Sequence, residues 1–365
     1  MKRLINYTIV ISAMFFIIVF TFSISDPVNI PDPGNNFIDV DTNGNTERAF
    51  SAVYYAMDNL EPGIVIYNPG NIKDYCKYTS DFYTACDYRI FWCDDYKWTS
   101  YTEEDKIMFK FSYCVNSKDE LKEMQNEADS EKNAILSKIP AGASTWESAK
   151  IIHDELISLI KFEGTYTEDH IYNLYGALVN KSAACTGYAY AFSNLMNELG
   201  YNTYVVRSPE HAWNVVSTEN GDLHIDCTWD DPDTYDSNGN PHIKYTYFFL
   251  GKDEICDVEQ HGITGINNSG DASSLAKSWN YHKMQGFFLE EYDYDAVLNI
   301  FRDQYLNGDK VLTVKFANHE NVENLEEWTE NRFRKMKEAL ESIEYFGSFT
   351  WQSEPETGTF NIFLK

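Results

Sequence analysis

The hydrophobic and polar positions fall into blocks of different period. From Leu4 to Ser25 no charge interrupts an apolar run, and Lys2 and Arg3 precede it. That order marks an export segment, kept out of fold reasoning. The run exceeds the usual apolar core of about 7–15 residues, and no clean small-residue cleavage site follows. It approaches the roughly 20 residues that span a bilayer. A cleaved signal peptide and an uncleaved anchor with Lys2 and Arg3 inside both fit. Either way the folded part is expected outside the cytoplasm, secreted or at the cell surface, touching membrane only through this segment.

Past a Pro- and Gly-punctuated linker, the pattern alternates between the two regular periods. "AFSAVYYAMDNL" reads as a helix and "GIVIYN" as a strand; "RIFWCDDYKWTSYT" and "KIMFKFSYCV" alternate as strands. A charged helix follows, with Ser117 and Glu120 in a capping-box pattern. A second helix buries Ile151, Ile152, Leu156, Leu159 and Ile160. Its His153 has no partner at helical spacing and is expected at or near the surface. "CTGYAYAFSNLMNELG" is helical and stops at Gly200; "NTYVVRS", "HAWNVVS" and "DLHIDCTW" are strands. Past residue 276 the chain reads as a small helix–strand–helix–strand unit. The expectation is an α+β protein with an export segment at 1–25, an N-terminal α+β region at 26–145, a core at 146–275 and a C-terminal α/β region at 276–365.

Composition narrows the partners. Hydrophobic residues make up 43% and aromatic residues 16%, enough for a packed core. A net charge of -28 argues against nucleic acid, whose phosphates need clustered Lys and Arg. Seven cysteines in an exported chain suggest disulfide pairs plus one free thiol, with local pairs among Cys76, Cys86, Cys93 and Cys114 and with Cys227 in the core or bonded to Cys256. No cofactor is expected. Asp39, Asp41, Asn43 and Gly44 begin like a calcium loop, but Phe50 stands where the bidentate Glu belongs. Asp230 and Asp231, before Pro232, read as turn caps rather than metal ligands.

Cys185 opens its helix where thiolate is favoured by the positive end of the dipole. Ala183, Ala184 and Gly187 keep that end small, with room for a substrate backbone to approach, and the Cys185 amide is an oxyanion-donor candidate. The missing imidazole is His211, at the start of "HAWNVV". Asp226 stands in an otherwise apolar strand, a costly position without a partner. Receiving the His211 N–H would explain it. A two-residue turn at Asn220–Gly221 would set Asp226 opposite Val215, roughly 13 Å from His211 along the strand. A loop from Thr218 to Gly221 pairs Ser217 with Asp222 and brings Asp226 diagonal to His211. The longer loop is the expectation. Tyr188, Trp213 and Trp229 are candidates for lining a cleft here; His224, His261 and His282 have no visible partner.

These blocks, "AACTGYAYAFSNLMNELG", "HAWNVV" and "LHIDCTWDDP", resemble the three motif blocks of transglutaminase-like proteins in the order Cys, His, Asp. That superfamily includes papain-like cysteine peptidases, and the chain is similar to its bacterial exported members from about 146 to 262. Ala183–Ala184 departs from relatives that often carry a larger apolar residue beside the Cys. The resemblance implies a papain-like core, with a nucleophile at a helix N-terminus packed on an antiparallel sheet. It implies Cys185 as nucleophile, His211 as general base and acid, and Asp226 as the orienting residue. The expected function is an exported cysteine-dependent enzyme that opens protein or peptide amide bonds through an acyl thioester, as a peptidase or a transglutaminase-like acyltransferase. Cell-wall peptides are among the candidate substrates. Other readings are a weakly active peptide- or protein-binding module on the same scaffold, and a structural surface protein. Water or an amine could take the acyl group.

Overall fold

A computed structural model of the protein describes residues 37–76, 82, 91–101, 104–165, 169–232, 234–256, 258, 260–263, 270–317, 321–322 and 333–365. The export segment, the linker to residue 36, and Cys86 lie outside the described residues. Among the described residues no helix is long and apolar enough to cross a membrane.

The chain forms two compact units. Of the described residues, those from 37 to 82 and Trp92–Glu120 make the first, and Phe91 with those from Leu121 to Lys365 make the second. In the first, β1 (Ile38–Asp41), β2 (Gly63–Tyr67), β3 (Cys93–Tyr101) and β4 (Lys106–Tyr113) form a sheet in the order β1-β2-β4-β3. Helix α1 (Thr46–Asp58) buries Ala49, Phe50, Val53, Ala56 and Met57, the apolar positions its 3.6-residue period aligns. Asn45 caps it by accepting the Arg48 N–H. Asp41, one of the calcium-loop candidates, spends one oxygen on the Asn43 amide and the Asn68 side chain and shapes a turn.

Helix α2 (Lys118–Leu136) leads into the second unit. Helix α3 (Thr145–Leu159) starts with a reciprocal capping box between Ser144 and Glu147. Strands β5 (Lys161–Phe162) and β6 (Ser182–Ala183) pair in parallel just before α4 (Cys185–Glu198). Next come β7 (Asn202–Arg207), β8 (Ala212–Thr218), β9 (Gly221–Ile225) and β10 (Phe248–Leu250), an antiparallel sheet ordered β10-β9-β8-β7. Helix α4 is joined to it by hydrogen bonds: Asn214 Nδ2 donates to the Ala189 carbonyl and Ser193 Oγ to the Thr203 carbonyl. The opposite face carries Trp213, Val215, Tyr247 and Leu250 into a separate apolar cluster.

Residues 276–365 belong to the same unit. Strands β11 (Phe288–Leu289), β12 (Val311–Phe316), β13 (Phe349–Glu354) and β14 (Thr359–Leu364) form a sheet ordered β11-β12-β14-β13, with α5 (Tyr294–Asn307) between β11 and β12. The expected single final strand is thus a β13–β14 hairpin. This sheet meets the core through buried polar contacts: His242 Nε2 donates to the Leu364 carbonyl at 2.9 Å, and Asn361 donates to Thr246.

Among the described residues none of the expected disulfides forms, and any pair with Cys86 lies outside them. Cys76, Cys93, Cys114, Cys185, Cys227 and Cys256 are not bridged to one another. The thiols are used otherwise: Cys76 donates to the Ile72 carbonyl, and Cys227 is fully enclosed beside Asp226, which pushes its pKa well above the ordinary value through burial and then neighbouring carboxylates.

Candidate active site

The register of one hairpin decides whether the three residues can meet. Strands β8 and β9 pair Ser217 with Asp222, Val215 with His224 and Asn214 with Ile225, as the longer loop required. The loop is one pair shorter than expected, because Thr218 also pairs with Gly221 and leaves Glu219–Asn220 as the turn. The "NG" signal has another cause. Gly221 has φ +113°, and a Cβ there would sit 2.8 Å from the Asp271 carbonyl and the Ser273 nitrogen, so glycine lets the 271–273 segment close over the turn.

In this register Asp226 Oδ2 lies 2.6 Å from His211 Nε2, with both side chains buried. The carboxylate only accepts, so Nε2 carries the proton. Ser208 fixes His211 from the other side: its Oγ accepts the His211 amide, and its own amide donates back to the His211 carbonyl. Asp226 Oδ1 accepts the amides of Thr228 and Trp229 and is held from the chain that follows it.

The half-buried Cys185 stands at the first position of α4. The His211 ring and the Ala212 amide lie close enough to its sulfur to favour the ionised form. The helix cap is Ala184, which offers no side-chain oxygen to the first amides. The small residues around Cys185 serve the fold rather than a ligand. A Cβ on Gly187 would lie 2.7 Å from both Ala183 Cβ and the Ile171 carbonyl, so the 171–173 segment fills that space.

Electrostatics couples the three groups. Burial opposes ionisation of Cys185 most strongly, but the His211 hydrogen bond and charge, with the Ala212 amide, outweigh it and hold the thiol below its ordinary value. For His211, burial alone would favour the neutral ring; the Asp226 charge and hydrogen bond, then Cys185, reverse this and raise it to about 10. Asp226 is lowered, because the His211 and His261 contacts overcome its burial. Each shift acts in the direction of a thiolate–imidazolium pair.

His261 is the residue the sequence reading missed. It is fully buried, and its Nε2 lies 2.9 Å from the same Asp226 Oδ2 that holds His211. Its ring is boxed by Trp213, Trp229 and Tyr247, with centroids 4.8, 4.6 and 5.7 Å away. His211, Asp226 and His261 have ligand-type atoms within 4.8 Å of one another. At 2.6 and 2.9 Å from Asp226 Oδ2, both ring nitrogens are engaged by the carboxylate directly.

Of the cleft candidates, only Trp229 borders open space. Trp213 is buried, stacks on His211 at 5.8 Å, and donates its indole N–H to His224 Nδ1. His224 thereby gains the partner it lacked in the sequence, and burial, then charges on His261 and Lys252, lower it to about 3. Tyr188 is buried too, its hydroxyl donating to the Ile160 carbonyl and Asp231. His153, expected near the surface, is enclosed between Asp154 at 3.0 Å and Asp230 at 3.2 Å. Asp230 is therefore more than a turn cap: it also accepts the Tyr247 amide, and the Tyr247 carbonyl accepts the Asp226 amide. His282 donates or accepts at Thr313 Oγ1, remote from the site.

No protein-family model and no curated protein matches the chain. Solved structures that are similar over parts of it include the following three. One is a TGase: 13% identity, 37% of this chain and 44% of that chain covered, TM-score 0.26. Another is menin, in a structure reporting its binding site for Mixed Lineage Leukemia protein: 27% identity, 33% and 29% covered, TM-score 0.26. The third is a proposed cysteine protease from Cytophaga hutchinsonii: 11% identity, 41% and 65% covered, TM-score 0.24. The aligned parts span under two thirds of each neighbour's own length.

Proposed function

We propose that the protein is a cysteine-dependent acyl-transfer enzyme on a papain-like, transglutaminase-type core, acting on protein or peptide amides. The observation that carries this reading is the chain of contacts from the Cys185 sulfur through the His211 ring to Asp226. Thiolate and imidazolium are paired before substrate arrives. Sulfur attacks the amide carbon, and the oxygen gains charge near the first amides of α4, where donors and the helix dipole favour it. His211 passes its proton to the leaving nitrogen as the C–N bond breaks, and an acyl thioester remains. Water or an amine then attacks, His211 takes its proton, and the thiolate returns. Asp226 keeps the ring oriented and its charged form favoured. The segment at 1–25 supports work outside the cytoplasm.

The test is thiol reactivity followed by turnover. At pH 6, iodoacetamide should modify Cys185 faster than a model thiol, and Cys185→Ala should abolish hydrolysis and amine incorporation across a peptide panel. Labelling no faster than the model thiol at pH 6–7 defeats the proposal. Fast labelling without turnover on any substrate would favour a binding module instead.

A further inference from the structure

A cavity of about 340 Å³ has Trp229 in its wall. That volume lies at the lower end of the roughly 300–1,000 Å³ typical of small-molecule sites and suits one side chain rather than a folded partner. Trp229 and Tyr247 form its aromatic wall, edge to face at 5.3 Å, and Pro232 and Val258 extend it. The Trp229 ring centroid is 5.8 Å from that of His211, so the cavity shares a wall with the candidate active site.

The polar lining is unbalanced. Asp231, Glu354 and Glu356 face one ammonium, that of Lys244. Lys244 is already satisfied, ion-paired with Glu354 Oε1 and 3.3 Å from Gln352 Oε1. Glu354 is not. It is 7% exposed, and its second oxygen, Oε2, is buried without a well-aligned donor, although Thr246 and Tyr247 interact with the carboxylate. A buried acceptor left unmatched is costly, and a ligand donor would relieve it. A carboxylic acid or phosphate would meet excess negative charge here. A protonated amine would meet carboxylates beside an aromatic wall, where Lys244 Nζ already lies 5.8 Å from the Tyr247 ring centroid, the setting that favours organic cations.

We propose that this cavity is a binding subsite for a protonated amine. The amine could belong to a basic side chain of the acyl donor or to a separate small molecule. Its place beside a reacting thiol rests on the proposed function; its binding chemistry does not.

The experiment therefore uses the full chain carrying Cys185→Ala, so that binding is read without turnover. Nα-acetyl-lysine methylamide, cadaverine and the neutral Nα-acetyl-norleucine methylamide are titrated by calorimetry and tryptophan fluorescence. Both amines should bind saturably, at least about tenfold tighter than the norleucine compound, and Glu354→Gln should remove most of that difference. Should Glu354→Gln fail to fold, the exposed rim variant Glu356→Gln decides instead, with weakening of about threefold or more and recovery in Glu356→Asp. Equal binding of lysine and norleucine compounds, or amine binding unchanged in the folded Glu variant, overturns the proposal. In the wild-type chain, protection of Cys185 from iodoacetamide distinguishes the sources. A lysine peptide that protects better than its norleucine counterpart assigns the amine to the acyl donor; cadaverine bound without protection assigns it to a separate molecule.

Discussion

At the scale of single residues, the site is a set of mutual pKa shifts, and these can be read out at one sulfur. Cys185 is lowered and His211 raised to about 10, so the window of the thiolate–imidazolium pair should open below the ordinary thiol value of 9.0 and close near pH 10. Asp226→Asn removes the charge that overcomes His211 burial. Labelling of Cys185 at pH 6 should then slow by about tenfold or more, one pKa unit being a factor of ten; an unchanged rate would remove Asp226 from the pair. His261 is argued to position Asp226. His261→Phe keeps an aromatic ring in the box but loses the donor, and the acid edge of Cys185 labelling should move up by about half a unit or more. His261→Gln, which retains a donor, should restore it. A lower melting temperature with an unmoved acid edge would mean that His261 only fills space. Cys185, His211 and Asp226 were legible because each sat in a local pattern: a helix start, a strand start, a carboxylate in an apolar strand. His261 follows Asp226 by 35 positions in a segment without periodicity, and only the folded chain brings it back.

At the scale of elements, the strands of the core could be read from alternation, and the β8–β9 register from the demand that Asp226 reach His211. The turn residues could not. "NG" suggests a turn centre by its backbone freedom, and Gly221 uses that freedom at φ +113°, but outside the turn centre, where it also makes way for residues 271–273, a tertiary demand that no local window contains. The small residues at the start of α4 carry a similar lesson, since Gly187 admits the Ile171 carbonyl rather than a ligand. Gly187→Ala should cost about 1–3 kcal/mol, the range for overpacking a tight contact, measured by denaturant unfolding. It should also lower Cys185 reactivity by shifting the helix start. A loss within about 0.5 kcal/mol, the level of an uneventful surface change, would mean that the 171–173 segment yields freely.

At the scale of the whole molecule, buried histidines of two kinds act on stability in opposite directions. Chain-level patterns did not separate them, because whether a buried ring meets a carboxylate or an indole is decided by packing. His211 and His153 are raised: burial opposes their charge, but Asp226 supports the first, and Asp154 and Asp230 the second. A raised pKa gives stability that is full below the ordinary value of 6.5 and is lost as pH climbs, for His211 through about 10. His224 and His282 are lowered, chiefly by burial, and remain neutral inside. Below 6.5 the unfolded chain takes up protons that these folded rings refuse, so stability falls as pH drops, for His224 down to about 3. Asp226 and Asp154, both lowered, add a loss as pH falls below the ordinary 3.8 toward their folded values. The two groups of histidines thus push the optimum toward their shared reference value. Calorimetry from pH 4 to pH 10 should give a melting temperature that peaks between about pH 6 and 7 and declines on both sides. His211→Gln should flatten the alkaline decline and leave the acid side in place, because His224 and His282 are untouched. A melting temperature that rises steadily from pH 5 to pH 9 would contradict the paired state of His211 and His153.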